Sequence, residues 1–145
     1  MRTHPDVEQV AAALRLSVSL LIRQLRQVPV PGELTLPESA ALARLDRRGP
    51  ATAAAMARQE QISPQSMGAT LGALEARGLI ERRPDPHDGR RAVMSVTEAG
   101  REVLHSKRSA RTQQIARALA AGFTAAELSQ LMAAAPLLER LAQSL

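Results

Sequence analysis

Four arginines and two aspartates crowd one short stretch of this chain: Arg82, Arg83, Asp85, Asp88, Arg90 and Arg91, with Pro84, Pro86, His87 and Gly89 between them. Guanidinium groups on a tight turn suit phosphate oxygens and the electronegative floor of a narrow minor groove. A carboxylate at a DNA surface works against affinity, so Asp88 is expected to orient Arg90 through a charge-assisted hydrogen bond. The plainer reading of the same residues is an exposed turn with a solvated ion pair. A second group lies upstream: Ser63, Gln65, Ser66 and Thr70. A glutamine amide can pair with adenine, and hydroxyls reach bases or phosphates. No Arg or Lys falls between Arg58 and Arg77, so base reading here is expected to be modest, with the arginine-rich turn supplying much of the affinity.

Other chemistries find little support. There are no cysteines, which removes disulfides, thiol redox sensing and thiolate ligands or nucleophiles. His4, His87 and His105 lie far apart without metal-ligand spacing. No glycine-rich phosphate loop or Ser-His-Asp arrangement is suggested, so catalytic residues, metals and cofactors are all expected to be none. Phe123 is the one aromatic residue, which disfavours the stacking platforms that single-stranded nucleic acids need. The net charge of +5, carried by 19 basic residues of which only Lys107 is a lysine, favours a polyanionic partner. The amino terminus lacks a long apolar run, so no membrane association and a cytoplasmic protein are expected.

The elements that would position these residues follow from spacing and punctuation. Val7, Ala11, Leu14, Val18, Leu21, Leu25 and Val28 alternate in four- and three-residue steps, one apolar stripe on a helix over 6–28. Such a heptad favours a helical partner over packing within its own core. Pro29, Pro31 and Gly32 should end it. Thr35-x-x-Glu38 reads as a capping box opening a helix over 38–47, Thr52 as the cap of a short helix over 53–59, and Ser63-Pro64 as the start of a helix reaching about Arg77, stopped by Gly78. Met56, Ile62, Met67, Leu71 and Leu74 would pack the last two as a helix-turn-helix. Residues 79–83 and 91–96 read as strands joined by the arginine-rich turn. A helix-turn-helix followed by such a hairpin is a winged helix. Thr97 should then open a long helix over about 98–120, and Thr124-x-x-Glu127 a final one, kinked or divided by Pro136.

The stretch LEARGLIERRPDPHDGRRAVMSVTEAG, Leu74–Gly100, resembles the multiple antibiotic resistance regulator (MarR) family. Leu74 with Gly78, Asp88 with Arg90, and Thr97 with Gly100 match its Leu-x-x-x-Gly, Asp-x-Arg and Thr-x-x-Gly pattern in order. The resemblance implies a mainly α fold with a small β-hairpin wing. It implies a helical dimerisation domain from residues 1–34 and 98–145, and a DNA-binding winged helix-turn-helix over 35–97. It places Arg90 in the minor groove with Asp88 as its partner, and implies a small-molecule effector held between the two parts. Gly68 and Ala69 stand where many members carry Thr-Arg, a departure that bears on the target sequence.

The function expected is a homodimeric, ligand-responsive repressor on a palindromic operator of double-stranded DNA. Its DNA-contacting residues would be Ser63, Gln65, Ser66, Thr70, Arg82, Asp88, Arg90 and Arg91. Two alternatives stay open: a DNA-architectural protein of low sequence specificity, and a winged-helix protein-interaction module. A ratio of specific to random binding separates the first, and salt-independent partner binding without DNA affinity marks the second.

Overall fold

Hydroxyl side chains set where most of the helices begin. In the computed structural model, which describes residues 4–28 and 30–145, Thr35, Thr52, Ser63 and Thr124 each hold extended backbone. Each accepts a hydrogen bond from the backbone N–H three residues on. That satisfies one of the donors a helix start leaves open. The elements run α1 (Val7–Gln27), α2 (Leu36–Arg48), β1 (Ala51–Thr52), α3 (Ala53–Gln59), α4 (Pro64–Ala76), β2 (Ile80–Pro84), β3 (Ala92–Val96), α5 (Glu98–Leu104), α6 (Ala110–Gly122) and α7 (Ala125–Ser144). Pro29, one of the residues expected to end α1, lies outside the described residues.

The chain divides into two compact units, residues 1–104 and 105–145. In the first, one apolar core joins α2 through β3. Ala41, Leu42 and Leu45 line one side of α2, and Met67, Leu71 and Leu74 one stripe of α4. Met56, Ala57, Leu79, Ile80, Met94 and Val96 fill the space between them. With no aromatic side chains there, three methionines take the irregular gaps that flexible thioethers suit. Ile62, expected in this core, is instead exposed.

The sheet is three-stranded and antiparallel, in the order β1-β3-β2. The hairpin expected from the sequence pairs Ile80 with Val96 through Pro84 with Ala92. β1 adds Ala51 opposite Met94 and Thr52 opposite Val93. Pro84, which has no N–H to give, sits at the end of an edge strand, where that is tolerated.

The expected capping box at Thr35 is half formed. Thr35 accepts from the Glu38 N–H at 3.2 Å, while the Glu38 carboxylate lies 3.9 Å from Arg77. The helix expected over 98–120 is two helices. Between them, Ser106 accepts from the Arg108 N–H and Ser109 from the Thr112 N–H. Side-chain bonds to nearby backbone thus replace a helical turn. Pro136 does not divide α7, which is one element from Ala125 to Ser144. None of α1, α6 or α7 contains a buried residue.

The Thr-x-x-Gly sequence fastens the hairpin to α5. Thr97 takes its backbone N–H to the Leu79 carbonyl at 3.0 Å. Its hydroxyl donates to the Gly78 carbonyl at 2.7 Å and accepts from the Gly100 N–H at 3.1 Å. Gly78 ends α4 at φ +72°, a conformation glycine adopts without strain. A Cβ on Gly100 would collide with the Leu79 carbonyl oxygen, so this close approach admits no side chain.

Candidate nucleic-acid interface

The face of α4 opposite its buried stripe is bare. Gln65, Ser66, Gly68, Ala69, Gly72, Ala73 and Ala76 are all exposed, and a Cβ added at Gly68 or Gly72 would meet nothing within 4 Å. Gln65 is the longest side chain among these seven. Ser63 is committed first to its cap: its hydroxyl accepts from the Ser66 N–H at 3.1 Å and donates to the Ser66 hydroxyl at 2.9 Å.

Thr70 stands at the border between this face and the buried stripe, four residues after Ser66 and three after Met67. It is half-buried and also lines a cleft beside the helix.

The wing turn is tied by its aspartates. Asp85 accepts from the His87 N–H and Asp88 from the Arg90 N–H, at 2.9 and 3.0 Å. Backbone bonds from Asp85 N–H to the Arg91 carbonyl and from Arg91 N–H to the Asp88 carbonyl close the loop. The hydrogen bond expected between Asp88 and Arg90 runs to the Arg90 backbone N–H, and the other Asp88 oxygen lies 3.7 Å from Arg91. Arg82 pairs with Glu75 on α4 at 3.4 Å, and Arg83 with Glu81. Among the described residues, Arg90 is thus the one wing arginine without an ion pair, on a backbone its neighbour holds still.

Arg77, which ends α4, carries no sequence signal of its role. It donates to the Gly32 carbonyl at 3.0 Å and faces Glu38, joining the end of α4 to the segment that leads into α2. The cleft beside α4 has a volume of about 360 Å³. Ile22 and Arg26 of α1, Pro37 and Ala40 of α2, Glu60 and Ile62 of the α3–α4 turn, and Met67 and Thr70 of α4 are among its walls. They are mostly apolar, with one residue of each charge. Nothing in the sequence groups these residues, because they come from four separate segments.

A tight helix-turn-helix, a wing carrying an unpaired arginine and a bare recognition face together make a DNA-binding module. The chain matches the MarR family model over residues 33–91. It is 36% identical over 112 residues to an uncharacterised HTH-type transcriptional regulator of Mycobacterium bovis, covering 77% of this chain and 78% of that protein. A solved transcriptional regulator of Pseudomonas aeruginosa aligns at 34% identity with a TM-score of 0.62, over 93% of this chain and 95% of that one. A Bordetella bronchiseptica regulator, whose DNA binding is regulated by 6-hydroxynicotinic acid, shares the fold at 21% identity, with a TM-score of 0.57 and 97% of both chains covered. With its winged helix, its Asp88–Arg90 wing tip and relatives of this similarity over most of its length, the chain belongs to the MarR family of DNA-binding transcriptional regulators.

Proposed function

We propose that this regulator binds a palindromic operator as a homodimer and acts as a repressor that a small organic effector releases. The observation that carries the reading is the contrast within one chain. The winged helix has a closed core, whereas α1, α6 and α7 contain no fully buried residue and expose Val7, Leu20, Leu21, Leu131, Leu137 and Leu138. Apolar stripes of this kind gain by covering one another across a two-fold axis. In this reading residues 1–34 and 98–145 form the dimerisation part. Two winged helices related by that axis match an inverted repeat in the DNA.

Gln65 and Ser66 would face base edges, and Ser63, Arg82 and Arg91 would steady the module against phosphates. Arg90 would enter the minor groove, with Asp88 holding its backbone. The effector reading draws on the cleft, whose apolar walls and single arginine suit a small apolar molecule with an acidic group. The regulation of the Bordetella protein by an aromatic acid supports the same class here.

Repeated selection of duplexes on the protein, followed by salt titration, tests this. Arg90→Ala is expected to weaken binding by about 1–3 kcal/mol per base or groove contact, and to flatten the salt slope by about one for each phosphate no longer neutralised. Sedimentation should show a dimer with and without DNA. A folded monomer at micromolar concentration, or wild-type affinity in Arg90→Ala at every salt, overturns the reading. Equal affinity for selected and random duplexes would instead mark an architectural protein.

A further inference from the structure

Arg44 of α2 is 8% exposed and, among the described residues, is the one buried polar or charged side chain. Its Nε and Nη2 both donate to Gln59 Oε1, at 2.8 and 2.7 Å, and its Nη1 donates to the Gly49 carbonyl at 3.2 Å. The fork therefore ends on neutral acceptors. Burial pulls the Arg44 guanidinium below its ordinary pKa, Arg48 adds to that, and Glu60 opposes it. A buried cation whose hydrogen bonds all go to neutral groups is a poor way to gain stability. An apolar side chain, such as its neighbours Leu42 and Leu45, serves packing better.

What the fork does well is hold two points at once. Gly49 ends α2 and leads through β1 into α3, and Gln59 is the last residue of α3. The next three residues, Glu60, Gln61 and Ile62, make the turn to α4, with Gln61 at φ +52°. One planar, pre-organised guanidinium thus fixes both approaches to α3, at the step just before the chain turns into the recognition helix. We infer that Arg44, with Gln59 as its acceptor, is a positioning residue that sets how α4 is presented to DNA. This rests on the DNA-binding reading above. Buried as it is, Arg44 contributes through α3 and not by touching phosphate.

The test uses the full-length protein and a labelled duplex enriched on the wild type, with binding followed across a salt series and folding checked by circular dichroism. Gln59 is exposed, so its variants are expected to fold. Gln59→Met should bind about tenfold more weakly at every salt, while Gln59→Glu, which keeps the acceptor, should stay within about twofold of wild type. Both lines should run parallel to wild type, because every phosphate stays neutralised as before. Arg44→Met should bind at least as weakly as Gln59→Met, because it also loses the Gly49 bond, and the double variant should bind no more weakly than Arg44→Met, in which the Gln59 bonds are already gone. Wild-type affinity in Gln59→Met overturns the proposal and leaves the DNA reading intact, as does Gln59→Glu binding as weakly as Gln59→Met. A flattened slope in Arg44→Met overturns it by showing that Arg44 meets phosphate directly. If Arg44→Met does not fold, the two Gln59 variants decide. If the wild type enriches no duplex, the DNA-binding reading fails and the proposal with it.

Discussion

Leu74 on α4 and Leu131 on α7 are the same residue on helices begun by the same kind of hydroxyl cap, yet Leu74 is fully buried and Leu131 is 48% exposed. The difference extends to whole regions. From α2 to β3 the chain closes its core with its own side chains. Along α7 it leaves Leu128, Leu131, Met132, Leu137, Leu138 and Leu141 open. Burying a leucine fully is worth about 1.5–3 kcal/mol, so this many uncovered side chains on one helix forgo a large stabilisation unless something covers them. The contrast shows that strong helix signals and a strong apolar stripe do not by themselves say where the stripe is buried. The winged helix is complete in one copy, and the proposed dimer completes the rest.

The largest expected effect tests the closed half. Leu74→Ala should lower unfolding stability by about 2–5 kcal/mol, through reduced burial and the cavity left behind. Leu131→Ala should act chiefly on assembly: its effect on melting should grow on dilution, and sedimentation should show dissociation at higher protein concentration. Equal effects for both variants at every concentration would break the comparison.

A smaller effect of opposite sign sharpens it. Gly68 and Gly72 lie inside α4 with open space where a Cβ would go, and glycine within a helix costs about 0.8–1 kcal/mol relative to alanine. Gly68→Ala and Gly72→Ala should each raise the melting temperature and weaken or redirect DNA binding, because the added methyls stand on the proposed DNA face. A fall in melting temperature would show that this face already packs against something.

The smallest effect concerns the start of α7. The Thr124 backbone N–H, and secondarily its side chain, hold the exposed Glu127 carboxyl below its ordinary value of 4.5, with slight desolvation opposing. Because the folded value is the lower one, this contribution is complete above the unfolded value and is lost as pH falls through the folded one. The first turn of α7 should therefore exchange its amides faster in acid, over the interval just below 4.5. Glu127→Gln should remove that dependence. An unchanged acid response in Glu127→Gln would place the titrating group elsewhere.

Much of the fold is legible in the sequence because its signals are local. Ser63-Pro64, Thr52 and Thr124-x-x-Glu127 act on backbone donors within one turn and mark helix starts by themselves. The hairpin is legible for a similar reason, with two β-type runs flanking a turn rich in Pro, Asp and Gly. What escapes depends on distant partners. β1 is two residues long and exists only because β3 offers it a ladder. Arg44 reads as an ordinary surface arginine until Gln59 and Gly49 come to it. That Thr70 also lines a cleft depends on α1, α2 and the α3–α4 turn coming to it. The break after Leu104 is written in Ser106 and Ser109, but helical spacing on either side obscures it. In the wing the composition is informative and the pairing is not, since Asp88 has two arginines within reach and its choice is geometric.

The close approach of Gly100 to Leu79 has a mechanical meaning. Where two stretches of main chain touch with no side chain between them, repacking the surrounding residues cannot reset their angle. The first turn of α5 is in effect welded to the root of the wing, at the carbonyl that also takes the Thr97 N–H. A force that tilts the wing is therefore delivered to α5 as a rotation, with little absorbed by side-chain slack. Wedging one methyl into the seam, as in Gly100→Ala, would loosen that joint first.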